Sequence, residues 1–355
     1  MTKSKIELIY FRAFVCMLII LTHIITQYMQ GIADSELSEL KLIYYIQNIF
    51  IFGTPCFIIL SQLLTTLNYK ELKFDYLWSR FKYIFIPYLC IGSFYCYSET
   101  LNTNTSFGHQ FIENVLLGYW YGYFIIVIMQ FFILSYIIFK ITPKLFNSKT
   151  LLGLSFIIQT TFLYFLQNSS EFSSIFHKVY PLSENTFILG WIFFFFVGGY
   201  VGLHYDKIIR FLEQYLFIII SLSIISYVGF VIFSKHDYWQ VTSFTYSLTL
   251  YHMSMFLLLL GVCLHFKTLM LGSINLISTF SFFIYLLHPI ILDTLYKYTA
   301  TFENTTIIFI AISLLFILGL CVGVGIFLRE FYIFRFLIGK QPYKLKIFLK
   351  DQTLM

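Results

Sequence analysis

Long apolar runs separated by short polar segments cover most of this chain of 355 residues. Each run is about 16 to 23 residues long, the length at which an α-helix crosses the hydrocarbon core of a bilayer. The pattern therefore predicts an all-α polytopic membrane protein, a bundle of ten transmembrane helices. The predicted spans are 8–28, 43–64, 83–98, 118–139, 151–166, 186–203, 216–233, 244–264, 270–291 and 306–327.

The composition agrees with this hydropathy pattern. Hydrophobic residues make up 59% of the chain and charged residues only 11%, whereas soluble domains carry about 25% charged residues. The first residues, Met-Thr-Lys-Ser-Lys, lead into a full-length span without a small-residue cleavage pattern, so we interpret that span as uncleaved. No loop is long enough for a separate folded domain. We therefore expect a single membrane domain over 1–355.

Positive charges are divided unequally between alternate loops. If the N-terminus is cytoplasmic, every Lys and Arg lies on the inner side except Lys41, Lys178, Lys235 and Lys297. Cytoplasmic loops of membrane proteins carry such an excess, so we predict that both termini face the cytoplasm from the cell membrane. The basic segment 328–355 is predicted to be a cytoplasmic tail that lies on anionic membrane lipids and binds no nucleic acid.

Common catalytic signatures are absent from the sequence. It contains no GxxxxGK[ST] or GxGxxG nucleotide motif, no HExxH zinc motif and no GxSxG nucleophile elbow. The six cysteines lie in apolar runs and form no CxxC pair, so we expect neither a metal site nor a disulfide frame. No bound cofactor is predicted.

Two ionisable residues, Arg12 and His23, lie within the first predicted span. Eleven positions amount to about three helical turns and a rise of ~16 Å, so both side chains project from one stripe of the helix. With Arg12 near one surface, we expect His23 close to mid-membrane, where an ionisable group is a functional candidate. We expect the two to share one water-accessible cavity. The alternative is a neutral histidine bonded to a neighbouring helix, with Arg12 extended towards the headgroups.

A second histidine lies in the ninth predicted span. Ser281, Tyr285 and His288 are spaced four and three apart and so share one helix face. Pro289 removes a backbone donor and would free a carbonyl near His288. Counted from the inner end, we expect His288 near the outer surface. The alternative is an interfacial histidine at a proline bend.

Two further stretches could contact a substrate. Arg80 and Lys82 precede the third predicted span and could clamp the phosphates of a donor molecule, although ordinary positive-inside charge is the more common explanation of such residues. Trp120 lies in an aromatic stretch at the outer end of the fourth span. Such rings form an interfacial belt or a platform for a sugar.

Four elements, in this order, resemble the acyltransferase-3 family of membrane acyltransferases. They are Arg12 with His23 after ten intervening residues, the stretch Gly53-Thr54-Pro55-Cys56-Phe57, the stretch Tyr119-Trp120-Tyr121-Gly122, and Tyr285-Leu-Leu-His288-Pro289. The chain departs from the family pattern at Gln62, where glycine is common, and at Lys82 with Tyr83, where a second arginine would follow Arg80 by three positions. It also lacks an esterase-like domain after the last span.

The resemblance implies a membrane O-acyltransferase that uses an acyl-CoA, with succinyl-CoA as the expected co-substrate. His23 would be the general base and Arg12 its catalytic partner, with Arg12, Arg80 and Lys82 binding the donor. The acceptor would be bound by His288, Tyr285 and Trp120. The runs 48–67, 182–191 and 281–293 are similar to family members that work on the biofilm exopolysaccharide poly-β-1,6-N-acetylglucosamine. That similarity implies this polymer as acceptor and its synthase complex as partner.

Two other classes of function remain open at this point. An exporter that moves the polysaccharide across the membrane could also use intramembrane polar residues, but it would need an energy source other than a nucleotide bound by this chain. A structural subunit of the synthase complex with an inert site is the third possibility.

Overall fold

The protein is described by a computed structural model that covers residues 5–31, 37–234, 237–266, 268–302 and 305–340. Within these ranges it contains helices and turns but no strand, so the all-α prediction is confirmed. The α-helices are α1 (Ile6–Gly31), α2 (Leu37–Phe50), α3 (Gly53–Asn68), α4 (Phe74–Arg80), α5 (Ile86–Asn102), α6 (Phe107–Gln110), α7 (Tyr123–Ile141), α8 (Lys149–Asn168), α9 (Ser170–Val179), α10 (Ile192–Leu203), α11 (Tyr205–Phe233), α12 (Thr249–His265), α13 (Leu271–Tyr296) and α14 (Thr306–Glu330).

Eight helical segments of the described chain are long and apolar enough to cross a membrane, as expected of a multi-pass membrane protein. They coincide with eight of the ten predicted spans. The third and sixth predicted spans fall on α5, of 17 residues, and α10, of 12 residues. These helices are shorter because α5 continues from α4 through a π-helical turn, Phe81–Phe85, and α10 follows two 3₁₀ turns.

The side of the membrane that each terminus faces stays a prediction, as does the single domain over 1–355. Residues 341–355, most of the predicted basic tail, lie outside the described ranges. For description, the end of the bundle where α1 begins is called the basic end, and the end where α1 finishes is called the far end.

Helix α1 is the central element of the bundle. It packs against α2, α3, α12, α13 and α14, and Phe11, Val15, Ile20 and Ile24 on it are fully buried. A helix that is apolar on all sides is enclosed by protein or by lipid, and here neighbouring helices supply most of the enclosure. The polar residues of α1 therefore face other helices and the spaces between them.

Helices α3 and α10 approach each other unusually closely. Gly198 and Gly202, four residues apart, lie on the α10 face that meets α3. A Cβ atom at Gly198 would meet the carbonyl oxygen of Ile59, and one at Gly202 would lie 2.7 Å from the carbonyl oxygen of Leu63. Small residues allow two membrane helices to bring their backbones together in this way. Because Gly53, at the start of α3, borders the candidate site, this contact also fixes one wall of the site.

We expect Gly198→Ala to destabilise the protein, because the added methyl group would displace the α3 backbone. The expected cost is about 1–3 kcal/mol, measured as a lower midpoint of unfolding of the purified protein in detergent. Gly319→Ala on α14 is the matched control, since nothing lies within 4 Å of a Cβ there and alanine favours the helix. Equal midpoints for the two variants would contradict the proposed close contact.

Candidate functional site

A cavity of about 680 Å³ lies at the far end of the bundle. Its walls come from the second half of α1, parts of α2 and α5, the start of α3, the segment 118–123, the loops around 183–185 and 239–243, and α13. Polar and aromatic side chains predominate in these walls, among them Thr22, Gln27, Gln47, Tyr95 and Trp239. A mainly apolar chain thus encloses a polar space large enough for one or two sugar units.

His23 lies in the wall of this cavity and is half-buried. Its ring centroid is 4.4 Å from that of Tyr121 and 5.3 Å from that of His288. Sequence positions 265 residues apart are brought together because α1 and α13 pack side by side. The structure therefore places the two predicted histidines in one cluster.

His288 is fully buried and does not belong to the described lining of the cavity. Its Nδ1 lies 3.2 Å from the carbonyl oxygen of Ile284. Because a carbonyl only accepts, Nδ1 carries the proton, and Nε2 of the neutral ring is a hydrogen-bond acceptor. That Nε2 atom is buried without a hydrogen-bond partner in the described structure. His288 thus offers an unused acceptor beside His23.

The predicted difference in depth between the two histidines is wrong. Contacting rings must lie at one level of the bundle. His23 in α1 and His288 in α13 lie the same number of residues after the first residue of their helices. Each is therefore ~26 Å along its helix. The physical reason is that Arg12 does not mark the start of the helix, because α1 begins six residues earlier.

Two of the predicted acceptor residues line the cavity and are held by hydrogen bonds. The hydroxyl of Tyr285 donates to the backbone carbonyl of Tyr121. The Nε1 of Trp120 donates to the hydroxyl of Tyr88 at 3.2 Å, and that hydroxyl donates to the carbonyl of Val115 at 2.6 Å. Both rings are therefore fixed in place before any ligand binds, which lowers the entropic cost of binding one.

The structure does not bring Arg12 into the described lining of the His23 cavity. Arg12 is half-buried and lies within electrostatic reach of Arg80. Side chains of a helix lean towards its N-terminus, so Arg12 extends towards the basic end and away from His23. The expectation of one cavity shared by the guanidinium and the imidazole is not met among the described residues.

A second cavity, of about 500 Å³, lies at the basic end. Its lining carries charges of both signs and two tyrosines. The residues are Tyr69, Glu71, Lys73, Asp75, Tyr76, Ser79, Arg80 and Lys340. Within the described chain the two cavities share no lining residue, so they are distinct openings at opposite ends of the bundle.

Arg80 is the best-defined cation of this second cavity. Its guanidinium lies 4.8 Å from the ring centre of Tyr76 and 5.1 Å from that of Phe132, and its Nε is buried without a hydrogen-bond partner. Burial raises the pKa of Tyr76, while the positive charge of Arg80 partly opposes this shift. Tyr76 therefore remains a neutral phenol at neutral pH. Lys82, by contrast, is exposed and lies outside the described lining of either cavity.

Sequence reasoning missed several residues of the His23 cavity. Gln27 and Gln30 follow His23 by four and seven positions, a helical spacing that could have identified them. Asp293 lies on α13 one turn and a half beyond His288. It was overlooked because the predicted span ended at 291, whereas α13 continues to Tyr296.

Metal binding has no support in the described part of the chain. No group of three or more His, Cys, Asp or Glu side chains there could hold a metal ion. The six cysteines are all free, and five of them are buried.

Comparisons with known proteins identify the family of the chain. A family model described as "Acyltransferase domain" matches residues 5–326. A protein of Staphylococcus epidermidis is 64% identical over 346 residues, which is 98% of each chain. One of Staphylococcus aureus strain MRSA252 is 61% identical over 347 residues, 98% of this chain and 99% of the relative.

Both relatives bear the name "Probable poly-beta-1,6-N-acetyl-D-glucosamine export protein". No solved structure matches the chain. The family model spans nearly the whole membrane bundle, including the His23 cluster and Arg80. The chain therefore belongs to the acyltransferase-3 family of membrane proteins.

Proposed function

We propose that the protein is a membrane O-acyltransferase that transfers a succinyl group from succinyl-CoA to a hydroxyl group of poly-β-1,6-N-acetylglucosamine. The observation that carries the proposal is the position of His23, an imidazole in the wall of a polar cavity and in ring contact with His288. The family supports acyl transfer, and the names of the relatives supply the polymer.

His23 is the proposed general base. An imidazole that faces a polar cavity can accept a proton from a sugar hydroxyl within hydrogen-bond reach. The unused acceptor Nε2 of His288 lies beside it, and a small ring rotation would let His23 donate its own N–H there. Such a bond would leave the other nitrogen of His23 free to accept the proton of the sugar hydroxyl. His288 would then position the base, with Tyr285 and Trp120 contacting the sugar.

The proposed reaction is a direct acyl transfer. The sugar oxygen attacks the thioester carbonyl, a C–O bond forms, and the C–S bond breaks. His23 takes the hydroxyl proton and then gives it to the departing thiolate of coenzyme A. Protons and electron pairs balance, so no metal ion or redox cofactor is required.

The donor would enter from the basic end. Arg80, Lys73 and Lys340 line the cavity there, and cations of this kind bind phosphate groups. Arg12 lies within electrostatic reach of Arg80 and ~16 Å from His23 along α1. An extended pantetheine arm has a comparable length, so phosphates near Arg12 and Arg80 would place the thioester close to His23. Lys82, exposed and outside the cavity, would make a smaller contribution.

Export of the polymer is the alternative function, favoured by the names of the relatives and by the presence of a cavity at each end. A polysaccharide path must, however, run continuously through the protein. The two cavities share no described lining residue, which favours two substrates that enter from opposite ends over one polymer chain that passes through the protein.

We expect His23→Ala to lower succinyl transfer by about 100-fold or more, because a general base contributes this much. The assay uses the purified protein in detergent with labelled succinyl-CoA and a short N-acetylglucosamine oligomer. His109→Ala is the control, since His109 is exposed and lies outside both cavities.

The same His23→Ala variant, expressed in cells, separates the alternatives. Normal secretion of unsuccinylated polymer is expected for a transferase. Loss of secretion would instead support export, and unchanged succinylation would indicate a structural subunit with an inert site.

We expect Arg80→Gln to raise the KM for succinyl-CoA by about tenfold or more, because one charge-assisted contact to phosphate is lost. The KM for the oligomer should change little, since the glycan would bind at the other end. Lys140→Gln, which removes an exposed charge near the same end, is the matched control. Equal KM values for Arg80→Gln and this control would place the donor elsewhere.

A further inference from the structure

We propose that the His23 cavity binds a sugar unit with a free, protonated amine, and that Asp293 is the residue that recognises this amine. The inference rests on the proposed function, because it names the acceptor of that reaction more closely. The preferred acceptor would be a glucosamine unit, or a stretch of polymer that contains one, in place of a fully N-acetylated chain.

The charge of the cavity is the first observation. Asp293 is half-buried, and it is the one carboxylate among the described lining residues. No Lys or Arg occurs in that lining, and no ion pair is formed by Asp293 within the described chain. Glu99 on α5 adds a second negative charge within electrostatic reach. The binding space is therefore negative, and no Lys or Arg among its described lining residues compensates the charge.

The aromatic wall is the second, independent observation. The rings of Tyr44, Tyr95, Trp120, Tyr121 and Trp239 line the same cavity as Asp293. Of these, Tyr95 and Tyr121 lie within electrostatic reach of the carboxylate. Aromatic faces attract cations, and ammonium ligands are bound in cages of such rings. The same faces also pack against the CH surface of a sugar.

Neutral ligands compensate the charge of Asp293 less well than a cation does. A carboxylate can accept hydrogen bonds from sugar hydroxyls, but a half-buried charge without a counter-charge still carries a desolvation cost. An ammonium group offsets that cost and makes the stronger charge-assisted hydrogen bond. An acetamido group in the same position would bring no charge.

The test compares the binding of a glucosamine trimer with that of an N-acetylglucosamine trimer at neutral pH. The full-length protein in detergent is used, and the fluorescence of the cavity tryptophans Trp120 and Trp239 reports binding. We expect the glucosamine trimer to bind about tenfold more tightly or better. In Asp293→Asn the ratio of the two affinities should fall to near one, because the shape is kept and the charge is removed.

Asp237→Asn is the matched control, because Asp237 is exposed, precedes the same loop, and lies outside the described lining. It should keep the preference for the glucosamine trimer. Equal binding of both trimers by the unaltered protein would overturn the inference, and so would a preference that survives in Asp293→Asn.

Transfer from labelled succinyl-CoA to each trimer is measured in parallel. Selective binding of the glucosamine trimer without any transfer would refute the acyltransferase proposal and leave the amine site standing. Transfer to both trimers with no difference in binding would refute the amine site and leave the acyltransferase proposal standing.

Discussion

The cost of placing an ionisable side chain within a membrane is the constraint on which this structure depends. Such a group is tolerated only where protein or water surrounds it. Helix α1 carries both Arg12 and His23, and five other helices enclose it. The second half of α1 lines the far-end cavity. Arg12, in its first half, lies near Arg80 at the basic end. The position of α1 thus determines where polar chemistry can occur.

Close helix packing supports that arrangement from the opposite side. Gly198 and Gly202 allow α10 to contact the backbone of α3, and α3 contributes Gly53 and Thr54 to the cavity. On the other flank, α13 supplies Tyr285 and Asp293 to the same cavity and His288 to the cluster behind it. Residues far apart in the sequence are therefore held by helices that pack directly on α1 or on its neighbours.

The sequence allowed the helical class and eight spans to be predicted, because a continuous apolar run of sufficient length is a strong signal. It was less informative for α5 and α10, where a π-helical segment and 3₁₀ turns replace part of the α-helix. Periodicity within one helix identified His23 and His288 separately. It could not show that their rings meet, since contact between α1 and α13 is a tertiary property, and it misjudged their relative depth. Asp293 was missed because helix ends are the least well-defined feature of a hydropathy pattern.

The separate linings of the two cavities have a consequence for the membrane itself. A continuous water-filled passage would conduct ions and discharge the electrical potential across the bilayer. Here His23, Tyr121 and Tyr285 line the far-end cavity, His288 is in ring contact with His23, and none of the four lines the basic-end cavity. Water can therefore hydrate each end of the bundle through its own opening, and a leak of ions would need a passage between residues that line neither cavity.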